Sequence, residues 1–135
     1  MDIVVWNDNL SVGVKVFDDE HKQLVNYVNQ LSQALKISGA DQTLTKVLTG
    51  LVKYTKIHFM HEEDYMALYE YPDILSHKKE HDELTMQVSD FYERYREGKV
   101  KFSLELMNFL RSWLINHIQV SDMRYKEFFN AKNVK

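Results

Sequence analysis

The chain has no cysteine in its 135 residues. Disulfide staples, iron–sulfur clusters and thiolate–zinc sites are therefore excluded, and any metal must be held by His, Asp or Glu. Proline occurs once and glycine four times. So few breaks favour long helices over a turn-rich β architecture. No run is long and apolar enough to span a bilayer, and the start, MDIVVWNDNLSVGVKVFDDEH, lacks a basic stretch followed by an apolar one. No membrane insertion is expected, and a cytoplasmic setting is. The net charge is −3 with histidines neutral, so nothing marks a surface for nucleic acid or acidic lipid.

What is present suits one soluble globular domain spanning residues 1–135, with 44% hydrophobic and 27% charged residues. Residues 1–17 read as an extended arm without regular structure, pinned by Trp6 and Phe17. Trp6 reads as a packing anchor, with a ring closing one end of a buried site as the other possibility. Periodicity then predicts four helices at about 18–37, 42–68, 72–97 and 103–129. The Asp18-Asp19-Glu20 run is a favourable first turn for the first helix, and Gly39 is the expected stop. Pro72 suits the start of the third, Gly98 ends it, and Ser103 is the expected N-cap of the fourth. The apolar seams alternate steps of three and four, as bundle helices require. They run Phe17, His21, Leu24, Val28, Leu31, Leu35, then Leu44, Leu48, Leu51, Thr55, His58, Glu62, Tyr65, then Ile74, His77, His81, Leu84, Val88, Phe91, Tyr95. Four apolar-faced helices with short turns give an all-α, antiparallel up-down-up-down four-helix bundle.

The fourth seam, Leu106, Leu110, Trp113, His117, slips after His117. A regular continuation buries Ser121, Arg124 and Phe128. A one-residue shift buries Asp122, Tyr125 and Phe129, which is the better core. A π-type widening between His117 and Asp122 produces that shift, and such widenings concentrate at functional sites.

The seams thus carry His21, His58, Glu62, His77, His81, His117 and Asp122. A single core histidine is usually an ordinary packed residue. Five converging from four helices would leave many buried ring nitrogens in need of partners. Imidazoles and carboxylates together suit iron, zinc or copper. Seven ligands exceed what one tetrahedral ion uses and match two ions bridged by carboxylates. His77-x-x-Glu80-His81 also matches an inverted zinc-peptidase pattern. An all-helical bundle offers such an enzyme no substrate cleft, and Glu80 reads as a solvated flank residue. His61 lies off the seam and is expected to be exposed.

These seven positions, in this order, resemble the hemerythrin family, as do Trp6, Gly13, Asp18-x-x-His21-Lys22, His58-Phe59, Glu62-Glu63, Tyr71-Pro72 and Trp113-Leu114-x-x-His117-Ile118. The resemblance covers the chain from about Trp6 to Tyr125 and implies a non-haem di-iron centre that binds O2 reversibly. By matching positions, His77, His81 and His117 hold one iron, His21 and His58 hold the other, which keeps an open position, and Glu62 and Asp122 bridge both beside an oxo or hydroxo group. Leu24, Phe59, Trp113, Leu114 and Ile118 match a dry, apolar O2 pocket. Backbone carbonyls are the default partners for the outer imidazole nitrogens. An oxygen carrier or store, and not an enzyme, is the leading expectation, as a monomer or small homo-oligomer with O2 as its ligand. Alternatives are an O2 or redox sensing module, although no output domain follows the fourth helix, and a di-iron peroxidase or nitric-oxide-handling enzyme. The enzyme needs a proton donor beside the open iron, for which Tyr65 and Tyr125 are the nearest seam residues.

Overall fold

The computed structural model describes residues 3–37 and 41–135. Among these residues it is all-helical. Four long segments form an antiparallel bundle: α1 (Lys15–Leu35), α2 (Asp41–Leu68), α3 (Ile74–Arg96) and α4 (Leu104–Asn116). The chain then passes through a π segment, His117–Ser121, and a 3-10 turn, Asp122–Tyr125, into α5 (Lys126–Ala131). Helix α1 packs against α2 and α4, and α2 packs against α3. The seams meet in one core, where Phe17, Leu24, Val28, Leu31, Leu48, Leu51, Leu110, Ile118, Tyr125 and Phe129 are almost fully buried.

The arm is anchored by side chains. Asn29 Oδ1 accepts from the backbone N–H groups of Ile3 (3.1 Å) and Val4 (3.0 Å), and Asn29 Nδ2 donates to the Val4 carbonyl (2.9 Å). The arm is not wholly irregular as expected: a 3-10 turn forms at Asp8–Leu10, because Asn7 Oδ1 caps it by accepting from Asn9 N–H. Trp6 is half-buried, with Lys22 Nζ 5.4 Å from its ring centre.

Helix α1 begins at Lys15, earlier than Asp18, for a visible reason. Asp18 does not cap the helix start but reaches back to the arm, accepting from Val12 N–H (2.8 Å) and Ser11 Oγ–H (2.6 Å). Gly13 between them has φ +72°, and a Cβ there would lie 3.0 Å from Asn130 Oδ1. The chain therefore needs glycine at the point where the arm meets α5. Gly39 lies outside the described residues.

The later boundaries follow turn chemistry. Helix α2 ends with Glu70 in the left-handed region (φ 58°) and a Tyr71 N–H to Met66 O bond of 2.8 Å, a Schellman-type closure without glycine. Pro72 falls in that turn, so α3 starts at Ile74 and not at Pro72. Gly98 (φ 74°) ends α3 as expected, with Lys99 N–H bonded to Arg94 O at 2.9 Å. Ser103 caps α4 by accepting from Leu106 N–H at 3.3 Å. The π segment lies where the seam slipped: Asp122 N–H reaches the His117 carbonyl five residues back. Asp122, Tyr125 and Phe129 are consequently fully buried, while Arg124 is exposed and Phe128 half-buried.

Candidate metal centre

Four segments bring the seven seam residues to one place inside the bundle. His21 comes from α1, His58 and Glu62 from α2, His77 and His81 from α3, and His117 and Asp122 from the widened end of α4. None is more than 6% exposed. The local reason is spacing. His58/Glu62 and His77/His81 are each four apart on a regular helix, one turn above the other. His117 and Asp122 are five apart, and only the π segment turns both inward.

The two carboxylates sit centrally and divide their oxygens between two groups of imidazoles. Glu62 Oε2 lies 3.3 Å from His21 Nε2 and 3.2 Å from His58 Nε2. Its other oxygen, Oε1, lies 3.1 Å from His81 Nε2 and 3.6 Å from His77 Nε2. Asp122 repeats the division, with Oδ2 at 3.0 Å from His21 Nε2 and Oδ1 at 3.0 Å from both His77 Nε2 and His117 Nε2. The atoms form two sets sharing both carboxylates: Glu62, His77, His81, His117, Asp122, and His21, His58, Glu62, Asp122. Within each set all atoms lie within 4.8 Å of one another.

Almost all of these inward atoms lack hydrogen bonds. The Nε2 atoms of all five histidines, Glu62 Oε1 and both Asp122 oxygens are buried and unpartnered. Each such atom costs about 1–3 kcal/mol if nothing satisfies it. Ring nitrogens and carboxylate oxygens that converge on shared points without hydrogen-bonding one another are what a bound cation requires. The nitrogen and carboxylate donor set fits first-row transition ions.

Three of the five outer imidazole nitrogens are held by carboxylates, not by the backbone carbonyls expected. Glu20 Oε1 lies 2.7 Å from His58 Nδ1, Glu63 Oε2 lies 2.9 Å from His81 Nδ1, and Glu80 Oε1 lies 3.4 Å from His117 Nδ1. Ser121 Oγ–H also donates to Glu80. Each of these glutamates is the sequence neighbour of an inner residue (His21, Glu62 or His81) and serves an imidazole on the next helix. A one-residue step turns a side chain by about 100° around the helix, from the core toward the neighbouring helix. The series covers neither His77 nor His21, whose Nδ1 is buried without a partner. The reading of Glu80 as a mere solvated flank residue is corrected: its carboxylate is tied to His117 and Ser121, because the π segment brings both to its side. His61, off the seam as expected, is half-exposed, and its Nδ1 lies 2.6 Å from Glu20 Oε2.

Electrostatics follow from this packing. Burial pushes the His58, His77 and His117 pKa values down, but the carboxylates around them outweigh it and raise them to about 9, 9 and 10. Burial, and for Asp122 also the charge of Glu62, works against ionising the two inner carboxyls, yet the histidines hold both well below their ordinary values. Glu80 is pulled to about 2, chiefly by its hydrogen bond with His117. Tyr125 Oη–H donates to Glu62 Oε2 at 2.5 Å. Burial and the adjacent Asp122 and Glu62 charges raise the phenol's pKa, so it stays a donor.

The five apolar residues matched to an O2 pocket are all buried: Leu24 2%, Phe59 4%, Trp113 7%, Leu114 2% and Ile118 0% exposed. The Phe59 ring stacks on His81, with centroids 3.8 Å apart and planes 3° apart, and lies 5.9 Å from His58 and 5.3 Å from His117. No helix among the described residues is long and apolar enough to cross a membrane.

Comparison with known proteins agrees with this arrangement. The family described as the Hemerythrin HHE cation binding domain matches residues 12–129. A bacteriohemerythrin of Stenotrophomonas maltophilia is 32% identical over 131 residues, covering 97% of this chain and 84% of that protein. A myohemerythrin of Theromyzon tessulatum is 36% identical over 121 residues, covering 90% and 89%. A wild-type hemerythrin crystal structure superposes with a TM-score of 0.87 at 29% identity, covering 93% of this chain and 96% of that one. The helical order and the family match over nearly the whole chain have one reading: the protein belongs to the hemerythrin family.

Proposed function

We propose that this single-domain protein binds O2 reversibly at two non-haem iron ions, as a carrier or store. His77, His81 and His117 would hold one ion, His21 and His58 the other, and Glu62 and Asp122 would serve both. The observation that carries this is the division of each carboxylate's two oxygens between a three-imidazole and a two-imidazole group. Iron held there would supply reversible electron exchange with O2.

The chain's residues supply the rest. Glu20, Glu63 and Glu80 accept from outer N–H groups, which fixes the tautomer that turns each Nε2 lone pair inward. Leu24, Phe59, Trp113, Leu114 and Ile118, all buried, are assigned to an apolar pocket that would keep water from solvating charge inside the site. Tyr125 holds Glu62 in place. Its proton is committed there and is not free to act as an acid, which favours oxygen binding over a peroxidase reading. Tyr65 lies in an aromatic cluster against Phe17, 5.0 Å between centroids.

Anaerobically reduced, iron-loaded protein cycled between oxygen and argon tests the proposal. The expected result is a visible absorption band that appears with oxygen and disappears on deoxygenation over repeated cycles. Oxidation in one step to a form that no longer responds to argon would sink the carrier reading.

A further inference from the structure

Glu20 stands apart from the other two outer carboxylates. It comes from α1 and meets two imidazoles of α2, using one oxygen for each: Oε1 to His58 Nδ1 at 2.7 Å and Oε2 to His61 Nδ1 at 2.6 Å. The i, i+3 spacing of His58 and His61 places both rings on adjoining positions of one helix surface, so a single carboxylate can span them. Burial falls outward along the chain: the His58 side chain is 0% exposed, Glu20 12% and His61 43%. No inner ligand touches His61, and the proposed function gives it no role.

We infer that His61 is a positioning residue for the two-imidazole half of the site, holding Glu20 so that Glu20 fixes the His58 ring. This rests on the two-ion reading above. A neutral imidazole carries its proton on one nitrogen only. When Glu20 accepts from Nδ1–H, the Nε2 lone pair faces Glu62 and the metal position. If Glu20 turns away, the other tautomer becomes available and would point a hydrogen at the place where a cation must sit. A glutamate at the edge of the core has rotamers leading into solvent. The second hydrogen bond from His61 closes them.

The consequence is unequal. The half containing His77, His81 and His117 has three imidazoles, two of them held by Glu63 and Glu80. The other half has only His21 and His58, and His21 has no outer partner. Its occupancy therefore depends on His58 more than occupancy of the first half depends on any one ring. A half-exposed residue outside the ligand set governs how firmly one ion of the pair is kept.

Release of Fe(II) to an excess of a colorimetric iron chelator, followed anaerobically, tests this in the full chain. Wild type should yield two ions per chain. His61→Ala should release one of them about 10–100-fold faster, the usual scale for removing outer support of a metal ligand, and the other at the wild-type rate. His61→Asn keeps an amide N–H near the Nδ1 position and should restore the slow phase. Glu63→Gln, which acts on His81, should hasten the other ion, so that combining it with His61→Ala makes both fast. Unchanged release in His61→Ala, equal acceleration of both ions, or failure of His61→Asn to rescue despite an unchanged melting temperature would overturn the inference while leaving the two-ion reading intact. Fewer than two ions in wild type would overturn that reading and this inference with it.

Discussion

Replacing Tyr125 by Phe removes one oxygen from a site where neither partner touches solvent. Tyr125 and Glu62 are both 0% exposed. The ring stays, and with it the packing on Phe17 (5.5 Å between centroids) and Phe129 (5.1 Å). What is lost is the 2.5 Å hydrogen bond to Glu62 Oε2. A hydrogen bond to a charged acceptor contributes about 1.5–3 kcal/mol. For a chain of 135 residues, unfolding entropy is about 0.28 kcal/mol per kelvin, so the melting temperature should fall by roughly 5–11 °C. That figure applies to the metal-free protein, where the phenol is the closest polar partner of Glu62 Oε2, nearer than the His21 and His58 rings at 3.3 and 3.2 Å. With iron bound, Glu62 Oε2 has a cation beside it, and the loss should shrink to less than half. Scanning calorimetry on both forms of wild type and Tyr125→Phe reads the difference directly. A metal-free variant melting within about 1 °C of wild type, or an equal drop in both forms, would refute the argument that the phenol stabilises a buried charge which the metals otherwise satisfy.

Leu114→Ala and Leu114→Tyr, at a 2% exposed position, should change oxygen affinity or hasten autoxidation while iron analysis still finds both ions; unchanged autoxidation in both variants removes Leu114 from the pocket. Metal binding should expel protons. His58, His77 and His117 have pKa values of about 9, 9 and 10 without metal, above the ordinary 6.5, so they stabilise the metal-free fold fully below about pH 6.5 and lose that contribution as pH rises through about 9–10. Calorimetric titrations at pH 7.5 in buffers of different ionisation heat should therefore show more than one proton released per chain, with metal affinity rising toward pH 9, and a pH-independent affinity would contradict this. Glu70→Gly, at a non-glycine position with φ 58°, should raise the stability by about 1 kcal/mol in urea unfolding by relieving left-handed strain.

The parts of this fold that sequence reveals are those where a helix must keep one face inward. Periodicity located all four helices, and it located the π segment too, because a seam that must bury Asp122, Tyr125 and Phe129 cannot stay in register with His117. The inner seven residues were legible for the same reason: polar groups on an apolar stripe stand out. The outer carboxylates were not. Glu20, Glu63 and Glu80 sit one step off the stripe, where a glutamate is ordinarily solvated, and what betrays them is adjacency to an inner residue combined with knowing which helix lies next door. Helix starts were misplaced where a side chain had a tertiary duty. Asp18 reaches back to the arm, and the helix expected to begin there starts three residues earlier. Pro72 belongs to a turn set by Glu70, whose backbone conformation no residue preference announces.

The central claim is that one bundle holds two ions of unequal ligation, and diffraction from iron-loaded crystals at the iron absorption edge tests it most directly. The account predicts two anomalous peaks per chain inside the bundle, one surrounded by His77, His81 and His117 and the other by His21 and His58, with Glu62 and Asp122 reaching both. A single peak, or a second ion outside the reach of His21 and His58, would contradict it.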